Sequence, residues 1–209
     1  MVREGLPFIL VPFAVAVVLV IFGWWLIAGV FAFITAFMLY FFRDPHRTVP
    51  TDPNLIISAA DGRVTRIDEA ADHKTVSVFL SPLDVHVNRS PISGTIKQIA
   101  YIKGHKKPAT NDEASLVNER NSLVIEGDGL TVTCTQIAGI LARRIVCWPH
   151  EGDALERGQR FGLIKFGSRT DIKMPADCQV AVKIGDRVKG GETVIAVKGK
   201  KEQREKGQK

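Results

Sequence analysis

The chain has 209 residues, 45% of them hydrophobic, and a formal net charge of +6. That balance suits one compact domain plus a membrane segment and excludes extended disorder outside the carboxy-terminal tail. Cys134, Cys147 and Cys178 are an odd number without close spacing, which argues against a disulfide framework and against a zinc site; they are read as buried thiols in a reducing compartment.

From Gly5 to Phe42 there is no Asp, Glu, Lys or Arg. As one helix this run would be roughly 55 Å long, against a hydrocarbon core of about 30 Å. Gly23 divides it into two stretches of about 17 residues, so a transmembrane helical hairpin is expected, with a single tilted span or a shallow re-entrant pair as alternatives. Trp24, Trp25 and Tyr40 suit the membrane interfaces. A cleaved signal peptide would have a much shorter apolar region. Arg43, His46 and Arg47 follow at once and place the downstream domain on the cytoplasmic side of the cell membrane; a hairpin puts Arg3 there too. Residues 1–47 are therefore read as the anchor.

Residues 48–198 read as a mainly β domain. Runs such as Thr75–Leu80, Thr95–Ile102, Ser122–Ile125 and Leu130–Thr135 are rich in β-branched and aromatic residues and lie between Gly, Pro, Asn and Asp punctuation. Short helical pieces are expected near Asn111–Val117 and Gln136–Leu141. Gly152–Gly158 (GDALERG) and Gly185–Gly191 (GDRVKGG) share one spacing, and each Gly-Asp is read as a turn feeding a hairpin. Such paired half-motifs resemble the barrel-sandwich domains that carry biotin or lipoyl groups. This supplies an alternative reading, a membrane-anchored carrier or barrel-sandwich binding module modified at Lys173. Against it, Lys173 lies past the expected hairpin tip. The tail, residues 199–209, is cationic and without apolar anchors, and is read as mobile and solvated, with contact to anionic lipid as the alternative.

Between Phe161 and Pro175, Gly167-Ser168 forms a bend between two strand-like runs. A serine held there can attack the preceding carbonyl in an intramolecular acyl shift, and elimination followed by hydrolysis would leave an α-keto group on the new amino terminus. Asp61, before Gly62, and His86 are the candidate bases; alone, they read as a turn residue and a hydrogen-bonded strand histidine. The other histidines give no ligand-like spacing, so no metal is expected.

The segments Phe41–Pro50 (FFRDPHRTVP), Ala60–Arg63 (ADGR), Phe79–Arg89 (FLSPLDVHVNR), Asn118–Asn121 (NERN), Ala142–Ile145 (ARRI) and Phe166–Arg169 (FGSR) together resemble the short, membrane-attached phosphatidylserine decarboxylases along most of the chain. That resemblance implies a self-processing, pyruvoyl-dependent enzyme with a barrel-sandwich-like catalytic domain. It implies cleavage between Gly167 and Ser168 into a large β chain and a small α chain, a pyruvoyl group made from Ser168, and decarboxylation of phosphatidylserine to phosphatidylethanolamine through a Schiff base. No metal and no nucleic-acid partner is implied, and a higher oligomer is possible. Asp61 then belongs to the processing machinery and His86 to processing or decarboxylation. Longer members have a second histidine three positions after the first, where this chain has Arg89. His86 serving both steps and Asp61 acting as a base therefore both stay open. Arg43 and Arg47 are placed either to bind the lipid phosphate and carboxylate or to mark the cytoplasmic end of the span.

Overall fold

A computed structural model describes residues 1–104, 118–127, 129–139, 144–165 and 168–199. A short 3-10 turn, Arg3–Gly5, leads into α1 (Leu6–Ile21) and α2 (Trp25–Phe41), which pack on each other as a hairpin. Gly23 makes the turn: its φ is +77°, a left-handed conformation that closes a helix cheaply only without a side chain, and Trp24 N–H reaches back to the Leu19 carbonyl at 2.9 Å. Much of the hairpin's apolar surface points outward, with Leu26 91%, Ile21 75% and Phe33 73% exposed. Arg3–Ile21 is long and apolar enough to cross a membrane, whereas α2 is shorter, with 17 residues.

The open end of the hairpin is fastened to the domain. Val2, Phe41 and Phe42 are buried with Val85, Val87 and Leu163, and the Trp148 indole N–H donates to Glu4 Oε1 at 2.6 Å. Burial of each phenylalanine contributes about 1.5–3 kcal/mol.

The domain is built from β1 (Leu55–Ile57), β2 (Gly62–Glu69), β3 (His73–Leu80), β4 (Val87–Arg89), β5 (Gly94–Ile102), β6 (Arg120–Gly127), β7 (Leu130–Ala138), β8 (Ile145–Cys147), β9 (Ala154–Leu155), β10 (Arg160–Ile164), β11 (Ser168–Pro175), β12 (Gln179–Val180), β13 (Arg187–Val188) and β14 (Val194–Val197). Among the described residues they form an eight-stranded sheet, β13-β2-β3-β11-β7-β6-β5-β9, and two three-stranded sheets, β1-β14-β12 and β4-β10-β8. The mainly β reading and the helical hairpin hold. Gln136–Ala138 correct the helical expectation for Gln136–Leu141: they end β7, paired to β11, because their backbone is held in the centre of the sheet. Asn111–Val117 and residues 200–209 lie outside the described residues.

The large sheet consists of two equivalent halves, β13-β2-β3-β11 and β9-β5-β6-β7, meeting at β11 and β7. Both β2 and β5 carry a bulge at the same place, Val64/Arg66 and Ile96/Gln98. Ser58 Oγ donates to Ala60 O and Ser90 Oγ to Ile92 O, both at 2.7 Å. Gly191 N–H reaches Ser58 O at 2.9 Å, and Gly158 N–H reaches Ser90 O at 2.8 Å. The Gly-Asp repeat supplies the turns: Asp186 and Asp153 each accept a backbone N–H at 2.8 Å, from Lys183 and His150. Each turn feeds an edge strand that pairs back onto the first strand of its own half, β13 with β2 and β9 with β5, rather than forming a hairpin with the next strand in the chain. The halves differ in their connections: residues 70–72 join β2 to β3, whereas residues 103–119 separate β5 from β6. β6 and β7 are joined so tightly that Gly127 pairs with Leu130, whereas the whole other half is inserted between β3 and β11. Leu130 is thus the counterpart of Ser168.

Candidate active site

Ser168 opens β11 and is fully buried, its backbone in register with Leu80 of β3 and Ala138 of β7. Its hydroxyl has no hydrogen-bond partner among the described residues. A buried hydroxyl left without a partner costs about 1–3 kcal/mol. Gly167 lies outside the described residues. Ser168 itself is already in the strand and not at a bend.

His86 precedes β4 and is also buried. Its Nδ1 lies 2.9 Å from the Asp84 carbonyl, which can only accept, so Nδ1 carries the proton and Nε2 presents a lone pair. That Nε2 is buried and unpartnered among the described residues. Burial pushes the imidazole pKa down to about 4, with nearby Arg43 acting in the same direction against the pull of the Asp84 carbonyl and carboxylate, so the ring is neutral at physiological pH. The loop before it is fixed by Asp84, whose carboxylate accepts the Ser81 N–H at 2.8 Å and hydroxyl at 2.7 Å.

Asp61 lies at the end of the sheet that Ser168 opens, since Arg63, Phe79 and Arg169 stand in one register row across β2, β3 and β11. Both of its carboxylate oxygens lie 2.8 Å from Arg47 Nη2, and Oδ1 accepts the Gly190 N–H at 2.8 Å. Burial nevertheless outweighs these partners and raises the carboxyl pKa. Gly62 is required next: its φ is +151°, and a side chain there would run into the Phe79 carbonyl. Ser93 is the counterpart of Asp61 in the other half, accepting Arg157 N–H where Asp61 accepts Gly190 N–H.

Of the two arginines, Arg47 is committed to Asp61, while its buried Nε has no partner among the described residues. Arg43 stacks over the Tyr40 ring at 3.7 Å and donates to the carbonyls of Tyr40 and Leu83 at 2.8 and 2.7 Å. Arg89 is turned away from solvent into an ion pair. It pairs with Asp44 at 2.7 Å, as does Arg160 at 2.6 Å. Lys173 lies within β11, in register with Thr75 and Thr133, so it is in the middle of the sheet and not at a carrier's tip.

Sequence reasoning missed a buried amide ladder beside the serine. Asn121 Nδ2 donates to Gln136 Oε1 at 3.1 Å, Gln136 Nε2 to Asn88 Oδ1 at 2.9 Å, and Asn88 Nδ2 to Thr170 Oγ1 at 3.3 Å. Asn88 and Asn121 sit inside the segments FLSPLDVHVNR and NERN, whereas Gln136 and Thr170 carry no signal beyond being polar in a strand.

A curled β domain on a helical hairpin thus buries two groups that have no hydrogen-bond partner among the described residues, the Ser168 hydroxyl and His86 Nε2. The phosphatidylserine decarboxylase family profile matches residues 34–196. The chain is 46% identical over 201 residues to the phosphatidylserine decarboxylase proenzyme of Symbiobacterium thermophilum, covering 92% of this chain and 93% of that one. It is 47% identical over 201 residues to the proenzyme of Nitrosomonas europaea, covering 93% of each. The chain belongs to the phosphatidylserine decarboxylase family and is an enzyme of it.

Proposed function

We propose that this chain cleaves itself between Gly167 and Ser168 and then decarboxylates phosphatidylserine to phosphatidylethanolamine and CO2. The observation that carries this reading is the pair of buried atoms without a partner among the described residues, Ser168 Oγ and His86 Nε2, in a family whose relatives are called proenzymes. His86 takes the hydroxyl proton as Ser168 Oγ adds to the Gly167 carbonyl; the peptide C–N bond breaks, and the freed nitrogen takes a proton. Removal of the Ser168 α-proton expels the Gly167 carboxylate, and water then replaces the nitrogen as ammonia, leaving a pyruvoyl group. The site fits that group in that Ser168, which would supply its three carbons, is fully buried and held in register between β3 and β7. The pyruvoyl carbonyl supplies the electrophile that condenses with the substrate amine and accepts the electron pair released with CO2.

Asp61, with both oxygens engaged by Arg47 and Gly190, holds the Ser168 end of the sheet, and His86 is left as the base and later the proton donor. Arg43, which meets only carbonyl oxygens and an aromatic ring among the described residues, supplies a cation for the lipid phosphate; Arg47 Nε offers a donor to the carboxylate. Residues 1–47 anchor the enzyme, with residues 48–198 on the cytoplasmic side. Val2 N–H bonding to Phe42 O supports this, since it brings Arg3 and Arg43 to one face of the membrane.

Carboxyl-labelled phosphatidylserine in detergent micelles tests the reaction. Release of labelled CO2 with an equal yield of phosphatidylethanolamine is expected. Serine release, or no turnover by fully cleaved protein, overturns it.

A further inference from the structure

Asn121, Gln136 and Thr170 stand side by side in one cross-strand row of β6, β7 and β11. Asn88 reaches this row from the facing small sheet, joining Gln136 and Thr170, and its Nδ2 also lies 3.4 Å from Ala59 O. Asn88, Gln136 and Thr170 are all fully buried. Burying three neutral polar side chains gains little net stability even when all are satisfied.

The fold does not require this polarity. Because Leu130 and Ser168 are equivalent starts of β7 and β11, the counterparts of Thr170 and Gln136 in the other half are Val132 and Met174, both buried in the apolar core. The same architecture is apolar at one end and hydrogen-bonded at the other, and the hydrogen-bonded end is the one that carries Ser168.

Strand geometry gives the row its use. Side chains two residues apart in a strand share a face, so Ser168 projects on the same side as Thr170, and His86 stands two residues before Asn88, just ahead of β4. A slip of β11 by one residue would turn Ser168 to the opposite face. We propose that the Asn88–Thr170 hydrogen bond, held by Gln136, is a positioning strut that fixes β4 against β11 and so brings His86 to bear on Ser168 for self-cleavage. Asn88 and Thr170 act through their neighbours and touch neither reacting group. This inference rests on the self-cleavage reading.

The test compares Thr170→Val, which keeps shape and strand preference but loses the acceptor, with Thr170→Ser, which keeps it. Fragment appearance is followed on denaturing gels from newly made full-length chain, across pH, alongside thermal melting. Thr170→Val should cleave at least tenfold more slowly with the shape of its pH profile retained and melting little changed, and Thr170→Ser should cleave within about twofold of the parent. Parental cleavage by Thr170→Val overturns the strut, as does equal slowing of both variants. Should Thr170→Val be insoluble, Thr170→Ala makes the same comparison. A parent chain that never cleaves would sink the underlying reading instead, and the strut with it.

Discussion

Phe41, the last residue of α2, lies against His86 with ring centroids 4.2 Å apart and planes inclined by 33°. The helical hairpin therefore also forms one wall of the histidine's surroundings. Phe41→Ala should remove that wall, at a cost of about 3–5 kcal/mol for a buried phenylalanine, and admit water. The His86 pKa should then climb back toward 6.5, its ordinary value. NMR titration of His86 in the Ser168→Ala background measures this; an unshifted pKa would show that Phe41 does not shield the ring.

The same burial makes stability depend on pH. The folded pKa of His86 lies at about 4, below its ordinary 6.5, so between those values the unfolded chain binds the extra proton. Stability is therefore full above about pH 6.5 and falls as pH drops toward 4, by roughly 3 kcal/mol from this group. Asp61 works the other way, since its raised carboxyl pKa favours the folded state at low pH. Denaturant titration of Ser168→Ala protein against Ser168→Ala/His86→Phe should show the acid-side slope reduced in the second. Identical slopes would contradict the assignment.

Arg47 neutralises a carboxylate that is largely removed from water. Arg47→Ala should lower stability by up to about 3–5 kcal/mol, because the largely buried carboxylate keeps only the Gly190 N–H. Adding Asp61→Asn should return part of that loss. A double-mutant cycle on the uncleaved chain reads the coupling directly, and additive effects would mean the pair is not an interacting unit.

Cleavage before Ser168 would leave β11 as the first strand of the small fragment. This strand is hydrogen-bonded along one edge to β3 and along the other to β7, so the fragments should coelute on gel filtration in detergent and part only on denaturation. Spontaneous separation would contradict this topology.

Much of the plan was legible in the sequence. Charge-free residues framed by Glu4 and Arg43 disclosed the hairpin, because Gly23 is the natural place for a left-handed turn. The Gly-Asp repeat disclosed an internal duplication, since both copies need the same aspartate-capped turn. What stayed hidden was long-range. No local pattern tells that Leu130 and Ser168 are equivalent, because one half of the sheet is interrupted by the other. Asp61 pairing with Arg47, Arg89 turning to Asp44, and Gln136 meeting Asn88 are likewise contacts between distant segments, made by residue types that are ordinary in turns and strands. The helix expected over Gln136–Leu141 gave way to strand at Gln136–Ala138 because pairing in a central sheet outweighs weak helical periodicity.

The intact mass of freshly purified protein tests the central claim most directly. The account predicts two polypeptides, one ending at Gly167, the other beginning at position 168 with its serine converted to an α-keto group that reacts with a carbonyl reagent, and one uncut chain for Ser168→Ala. Active protein of a single full-length mass, with an unmodified serine at 168, would contradict it.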